Sequence, residues 1–146
     1  MILRSLLFVP GDSDRKLAKS ESSHADALVL DLEDAVAADR TEIARTMVLE
    51  HLRAHRDRTR TQLWVRINPL STPKAIPDLA AIVAGAPDGI MLPKTISAND
   101  VITLDHFLSA LEARDGVRLE SIAIIPVATE TPAAMFAFAS STVTSA

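Results

Sequence analysis

Residues Ser121–Pro132, SIAIIPVATETP, contain the pattern that decides the fold. The apolar run that begins this stretch is rich in β-branched residues and predicts a strand buried on both faces, as in parallel sheets. A carboxylate, Glu130, follows the strand, and Pro132 then opens a helix at a position that proline tolerates. Because ligands of α/β proteins bind beyond the carboxyl ends of the strands, this loop is a candidate site.

The same order of strand, polar loop and helix is predicted five times along the chain. The predicted strands are Leu6–Val9, Ala27–Leu32, Gln62–Ile67, Gly89–Leu92 and the run after Ser121. The predicted helices are Asp14–Ser22, Thr41–Arg58, Ile76–Ala84 with a stop at Gly85, Ser97–Arg114 with a Ser97–Asp100 capping box, and Pro132–Ala139. Such alternation indicates a parallel sheet with right-handed crossovers over residues 1–139. Residues Ser140–Ala146 carry no pattern and are expected to be a frayed tail.

Two architectures fit this alternation. An open, doubly wound sheet needs only the five predicted strands. The alternative is the first five units of an eight-unit barrel. A complete barrel takes about 250 residues, so the chain, with 146, cannot close one. Length and composition alone therefore favour the open sheet.

The composition argues against several classes of protein. With 15 basic and 19 acidic residues the net charge is −4, and aromatic residues make up only 3%, so a nucleic-acid partner is not expected. The absence of cysteine excludes disulfides, thiolate metal sites and a thiol nucleophile. No apolar run approaches the ~20 residues of a membrane span. The N-terminal residues lack a signal-peptide cleavage site, so a cytoplasmic protein without a membrane partner is expected.

Charged side chains lie at or just beyond the ends of four predicted strands. They are Glu33 and Asp34, Arg66, Lys94, and Glu130. Arg66 is the most informative, because it stands between two apolar strand residues, where a guanidinium is costly unless it meets an anion. Two interpretations remain open for it: a salt bridge to Glu33 or Asp34, or bidentate binding of a substrate carboxylate.

The other charged residues also leave alternatives open. Glu130 is a hard oxygen ligand suited to Mg²⁺, and it is equally suited to capping the helix that begins at Pro132. Lys94 would either neutralise the neighbouring acids or hold an anionic substrate. His51 and His55 have the spacing of a metal-ligand pair on a helix, but no third ligand is evident nearby, so an exposed helix face is the preferred interpretation.

Five segments, taken together, resemble the citrate lyase beta subunit and related CoA-ester lyases of the HpcH/HpaI aldolase superfamily. The segments are RSLLFVPG (Arg4–Gly11), ADALVLDLEDAV (Ala25–Val36), VRINP (Val65–Pro69), GIMLPKT (Gly89–Thr95) and IIPVATETPAA (Ile124–Ala134). The resemblance implies a TIM barrel, Mg²⁺ dependence and cleavage of a 3-hydroxy-carboxyl acyl thioester. Citryl, malyl and citramalyl thioesters of CoA or acyl carrier protein are the implied substrates, and an acetyl thioester and a keto acid are the implied products.

The resemblance also implies roles for the strand-end residues. By motif position, Arg66 would bind the substrate carboxylate, and Glu130 would ligate Mg²⁺ and contact the substrate. Glu33, Asp34 and Lys94 would line the mouth of the barrel, at the carboxyl ends of the strands.

Some parts that the resemblance implies have no counterpart in these 146 residues. The family's second metal carboxylate, an Asp after the sixth strand, is absent, and so are strands six to eight. The chain is therefore expected to be a barrel truncated after its fifth unit, with unpaired edges that favour self-association. A homo-oligomer or a multi-subunit lyase complex is the expected assembly, and the activity of the truncated chain stays open.

Two other functions remain open on the sequence alone. A class II aldolase acting on free 2-keto-3-hydroxy acids would use similar strand-end residues. A non-catalytic α/β binding domain with an open sheet would instead use these charges as ordinary ion pairs.

Overall fold

The computed structural model describes residues 3–132 and 134–136, in which strands and helices alternate. The strands are β1 (Leu6–Pro10), β2 (Ala27–Asp31), β3 (Gln62–Arg66), β4 (Gly89–Leu92) and β5 (Ala123–Pro126). The α-helices are α1 (Asp14–Ser20), α2 (Thr41–Ala54), α3 (Ala75–Ile82) and α4 (Ala98–Asp115), with 3₁₀ turns at Ala38–Arg40 and Val83–Gly85. Each predicted strand is present, and the predicted capping box at Ser97 and Asp100 is confirmed.

Three predicted helix ends were wrong, each for a local reason. α1 ends at Ser20 rather than Ser22, because serine hydroxyls there donate to the helix carbonyls of Leu17 and Lys19. α2 ends at Ala54 rather than Arg58, since Arg58 folds back and donates to the carbonyl of Leu52.

At the end of α3 the left-handed residue is Ala86, with φ 49°, rather than Gly85. Gly85 is needed for a different reason. A Cβ at this position would lie 2.7 Å from Cβ of Leu52 on α2. Residues 132 and 134–136 are helical. The rest of the predicted Pro132–Ala139 helix and the predicted tail lie outside the described residues.

The sheet is parallel, and its strand order β1-β2-β3-β4-β5 follows the chain. A doubly wound sheet would reverse its strand order at a switch point, and the described strands contain no such reversal. Sequential parallel strands with helices between them form the wall of a TIM-type barrel. The open doubly wound sheet that length alone favoured was therefore wrong, and the barrel-type fold implied by the resemblance is confirmed.

The two faces of the sheet differ in what covers them. The outer face packs against the helices in one large apolar core that includes Leu30, Val65, Ile90 and Leu104. The inner face carries a smaller cluster made by Ala27, Val29, Trp64 and Met91. Gly89 belongs to this inner layer, because a Cβ there would lie 2.2 Å from the Trp64 ring. None of the helices in the described part of the chain is long and apolar enough to cross a bilayer.

The strand register determines which side chains meet at the carboxyl end of the inner face. Asp31 at the end of β2 is in register with Arg66 at the end of β3, and Arg66 with Met91 of β4. Side chains in register on one face of neighbouring strands lie side by side. The fold therefore places an acid and a base together at the mouth of the barrel wall.

Candidate active site at the carboxyl ends of the strands

Arg66 forms a bidentate ion pair with Asp31. Its Nε donates to Oδ1 at 2.8 Å and its Nη2 donates to Oδ2 at 2.6 Å. The Asp31 side chain is only 1% exposed, and this hydrogen-bonded pairing raises the pKa of Arg66. The third nitrogen, Nη1, lies 3.2 Å from Glu33 and 3.8 Å from Asp34. The ion-pair interpretation of Arg66 had named Glu33 and Asp34, but the main partner is Asp31.

Asp31 is the site residue that sequence reasoning missed. It stood inside the predicted strand Ala27–Leu32, where an acid between two leucines carries the same cost that had drawn attention to Arg66. Its carboxylate also accepts the backbone N–H groups of Glu33 and Ala35 at 2.9 and 3.0 Å. Asp31 therefore both orients Arg66 and shapes the loop that carries the next two acids.

Glu33 is buried between two cations. Its Oε1 accepts from Nζ of Lys94 at 2.6 Å, while Oε2 is fully buried and has no hydrogen-bond partner among the described residues. Burial raises the pKa of Glu33, and the neighbouring Lys94 and Arg66 act in the opposite direction. An acid with an unsatisfied buried oxygen and a raised pKa is typical of a functional site.

Lys94 connects Glu33 to Glu130. Lys94 adopts a left-handed backbone conformation with φ 53°, which is strained for a residue other than glycine. In this conformation its backbone N–H donates to Oε2 of Glu130 at 2.8 Å, while its Nζ reaches Glu33. The hydrogen bond to Glu33 raises the pKa of Lys94, so the amine stays charged.

Glu130 does not cap the helix that follows it, which was one of its two predicted roles. Thr131 is the cap instead, since its Oγ1 accepts the backbone N–H of Ala134 at 3.2 Å. The carboxylate of Glu130 faces the loop after β4. Carboxylate oxygens of Glu33, Asp34 and Glu130 all lie within 4.8 Å of one another.

The five residues predicted for the mouth are thus brought together, and Asp31 joins them. Four carboxylates face two cations in this cluster, which leaves an excess of two negative charges. The acids are Asp31, Glu33, Asp34 and Glu130, and the cations are Arg66 and Lys94. Oxygen donors with excess negative charge suit a hard divalent cation such as Mg²⁺, so the donor set fits the cofactor that the resemblance implies.

A buried network on the outer side holds the ends of β2 and β3 in place. Asp78 is 0% exposed and accepts from Nε of Arg45 at 2.8 Å and from both the backbone and side-chain nitrogens of Asn68 at 2.8 and 2.7 Å. Asn68 also donates to the carbonyl of Leu32 at 2.9 Å. Within VRINP, Asn68 therefore positions the loop that carries Glu33 against the end of β3, which carries Arg66.

The sequence of this chain matches a family of known proteins. Residues 4–138 match the family model described as HpcH/HpaI aldolase/citrate lyase. The chain belongs to this family. The citrate lyase subunit beta of Haemophilus influenzae is 37% identical over 113 residues, which cover 77% of this chain and 38% of that protein. The chain thus spans well under half the length of the curated relatives it matches.

Two solved structures show the same fold. The citrate lyase beta subunit from M. tuberculosis, complexed with oxaloacetate and magnesium, is 31% identical, with a TM-score of 0.60 over 90% of this chain and 60% of that chain. The Haloferax volcanii malate synthase magnesium/glyoxylate complex is 16% identical, with a TM-score of 0.79 over 93% and 45%. The second likeness concerns the fold alone. The family resemblance seen in the sequence is confirmed.

Proposed function

We propose that this chain contributes its strand-end residues to a Mg²⁺-dependent carbon–carbon lyase. The proposed substrate is a 3-hydroxy-carboxyl acyl thioester of the citryl, malyl or citramalyl type, carried by CoA or acyl carrier protein. The products are an acetyl thioester and a keto acid. The observation that carries the proposal is the convergence of Arg66 and Glu130 on one acidic cluster at the mouth of the barrel wall.

Glu130 is the proposed metal ligand, with Glu33 and Asp34 beside it. When bound, Mg²⁺ supplies a template and a Lewis acid for the carboxylate and hydroxyl oxygens of the substrate. A relative of known structure is described with oxaloacetate and magnesium, which supports a keto acid and this metal as the pair to test.

Arg66 is the proposed substrate-carboxylate ligand. Asp31 occupies its Nε and Nη2, and the guanidinium carbon lies 5.0 Å from the centre of the Phe8 ring. Nη1 makes only the longer contacts, at 3.2 Å to Glu33 and 3.8 Å to Asp34, and is the group proposed to meet an incoming carboxylate. Because the side chain is already fixed, binding the substrate costs little additional conformational entropy.

Glu33 is the proposed acceptor of the hydroxyl proton. Its raised pKa suits a general base, and its buried Oε2, which lies 3.2 Å from Nη1 of Arg66 but makes no hydrogen bond among the described residues, is the oxygen proposed to take the proton. As the proton leaves, the hydroxyl carbon becomes the carbonyl of the keto acid, and the adjacent C–C bond breaks. The electron pair of that bond passes to the thioester fragment as an enolate, and a proton then completes the acetyl thioester.

Calorimetric titration with Mg²⁺, in the presence and absence of oxalate, tests the site. Glu130→Gln is expected to weaken Mg²⁺ binding by about tenfold or more, the equivalent of about 1.4 kcal/mol. Arg66→Lys keeps the charge but removes the planar fork, so it should weaken oxalate binding and leave Mg²⁺ affinity nearly unchanged.

The matched control is Glu120→Gln, an exposed glutamate at the opposite end of β5. It should bind Mg²⁺ and oxalate as the unchanged chain does. If no saturable Mg²⁺ binding occurs, the strand-end charges are ordinary ion pairs, and the non-catalytic binding domain becomes the better interpretation.

A class II aldolase is the second candidate, because the family description covers aldolases as well as citrate lyase. The two reactions share the metal and the arginine and differ in whether the substrate is a thioester. Assays with citramalyl-CoA and with a free 4-hydroxy-2-oxo acid separate them. Release of acetyl-CoA from the first substrate alone is the expected result.

The proposal also includes association of this chain with further copies of itself or with other subunits. β1 lies at one edge of the described sheet and exposes the side chains of Leu6, Leu7 and Phe8. An unpaired apolar edge strand favours pairing with further strands. We therefore expect a homo-oligomer or a multi-subunit lyase complex, and analytical ultracentrifugation tests this expectation.

A further inference from the structure

A second group of potential metal ligands lies at the amino ends of the strands. It consists of Glu21, which is the C-cap of α1, and His51 and His55 at the end of α2. The helices run back against the parallel strands, so the ends of α1 and α2 lie away from the mouth that holds Glu130. One ligand atom from each of the three side chains lies within 4.8 Å of the other two.

The sequence had favoured an exposed helix face for the two histidines, and this interpretation was wrong for His51. Its side chain is buried, and the residue is only 8% exposed. The third ligand, which the sequence did not reveal, comes from α1, 30 residues before His51. The group lies where α1 and α2 face each other across a groove that all three residues line.

The hydrogen bond of His55 determines which of its nitrogens is available. Nδ1 lies 2.9 Å from the carbonyl oxygen of His51, and a carbonyl only accepts, so Nδ1 carries the proton. Nε2 then lies 3.1 Å from Oε1 of Glu21. In the neutral ring this nitrogen and this oxygen are both acceptors, and a cation between them resolves the conflict.

The separation between Nε2 of His55 and Oε1 of Glu21 suits a small tetrahedral ion, and the other ligand-atom separations are within 4.8 Å. Ligands bound at 2.0–2.1 Å in tetrahedral geometry lie about 3.3 Å apart, close to the observed nitrogen–oxygen separation. The two imidazole rings have centroids 4.1 Å apart, so protonation of both rings would be repulsive.

The surroundings leave room for a further ligand. All three side chains line a cavity of about 190 Å³, which is large enough for a water molecule at a fourth position. Arg58 lines the same cavity, but its guanidinium is held by Asp88 at 3.2 Å and by the carbonyl of Leu52 at 3.1 Å. Asp88 supplies the ion pair of Arg58, while Nε and Nη1 of Arg58 make no hydrogen bond among the described residues.

We propose that Glu21, His51 and His55 bind one borderline transition-metal cation of the Zn²⁺ class, which links α1 to α2. Two imidazole nitrogens and one carboxylate favour Zn²⁺ over Mg²⁺, which prefers oxygen ligands. The site is separate from the proposed lyase site in both position and metal preference. Because the ion binds only the folded chain, it stabilises the fold.

Titration of the chelator-treated chain with Zn²⁺ tests the proposal. One saturating equivalent is expected, with a rise in Tm of about 5–10 °C when free Zn²⁺ is 100 times Kd. His55→Ala and Glu21→Gln should each weaken binding by about tenfold or more. Co²⁺ should give a visible absorption band typical of tetrahedral coordination, which both variants lose.

Two controls separate this site from others. His106→Ala removes an exposed histidine on α4, and Glu130→Gln removes the proposed Mg²⁺ ligand. Both should keep the Zn²⁺ affinity of the unchanged chain. The proposal is overturned by the absence of saturable Zn²⁺ binding, or if His55→Ala and Glu21→Gln bind Zn²⁺ as tightly as the unchanged chain does. It is also overturned if the contact between α1 and α2 responds to pH but not to Zn²⁺, because a protonated His55 then suffices.

Discussion

Acidic residues at the two ends of the sheet differ in what their oxygens contact. At the amino ends, Asp26, Asp88 and Glu112 each accept backbone N–H groups of segments that lead into or begin a strand. At the carboxyl ends, Glu33 faces side chains instead: its Oε1 accepts from Nζ of Lys94, and its Oε2 lies 3.2 Å from Nη1 of Arg66 without a hydrogen bond among the described residues. The backbone contacts at the amino ends fix the shape of the loops there. The side-chain contacts at the carboxyl ends leave charge available for a ligand.

The carboxyl pKa values of Asp26 and Glu33 also shift in opposite directions at the two ends of the sheet. Hydrogen bonds from Arg4, with a contribution from Ser5, hold the pKa of Asp26 well below its usual range. Burial raises the pKa of Glu33 instead. A lowered carboxyl pKa means that the charged form stabilises the fold, whereas a raised one marks a charge that the fold tolerates at a cost. The lowered carboxyl pKa thus lies at the amino ends of the strands and the raised one at their carboxyl ends.

Asp31 lies at the carboxyl ends of the strands, but its two oxygens accept hydrogen bonds from the backbone and from Arg66. Its replacement should therefore have the largest effect on stability. Asp31→Asn removes the charge opposite Arg66, which stays partly buried. Breaking such a pair should lower the free energy of unfolding by about 3 kcal/mol. Urea unfolding at neutral pH measures the change.

The matched control is Asp34→Asn. Asp34 lies three residues away, is 64% exposed and is 3.8 Å from Arg66. Exposed pairs contribute about 0–1 kcal/mol, so this variant should unfold almost as the unchanged chain does. Equal losses in the two variants would contradict the role assigned to the pair of Asp31 and Arg66.

A smaller loss of stability is expected from Glu112→Gln at the amino ends. Glu112 is buried, and its carboxylate accepts the backbone N–H groups of Glu120, Ser121 and Ile122 at 2.8–3.1 Å. An amide keeps only one acceptor oxygen, so the free energy of unfolding should fall by about 1–3 kcal/mol.

The affinity of this variant for Mg²⁺ should not change, because the residue is remote from the mouth. Glu130→Gln should show the reverse, a loss of Mg²⁺ affinity with little change in unfolding. If Glu112→Gln weakened Mg²⁺ binding while its stability was preserved, the division between the two ends of the sheet would be wrong.

Much of the fold was predictable because its signals are local. The apolar runs gave the strands, and the residues after them gave the mouth, since parallel strands end at one edge. Asp31 was missed because its importance depends on register with Arg66, which sequence spacing does not show. A rule applied to both residues, that a charge within an apolar strand needs a partner, would have found it.

Other features depend on tertiary contacts that local patterns do not encode. Asn68 is held by Asp78, and Asp78 is held in turn by Arg45. Asp78 and Arg45 lie on two different helices. Glu21 meets the two histidines only because the fold places the end of α1 opposite the end of α2. The strand order that excludes a doubly wound sheet likewise came from pairing between strands rather than from their sequence.

The smallest expected effect concerns Asp26 and depends on pH. Because its folded pKa is depressed, the charged form stabilises the protein above the usual aspartate pKa of 3.8, and this contribution is lost as the pH falls towards the folded value. Asp26→Asn should therefore be less stable than the unchanged chain at pH 7, with the gap closing below about pH 4. Urea midpoints at both pH values measure the gap, and Asp39→Asn, at an exposed site, should show little gap at either. A gap for Asp26→Asn that persists unchanged into acid would mean that its hydrogen-bond geometry, rather than its charge, holds the segment before β1.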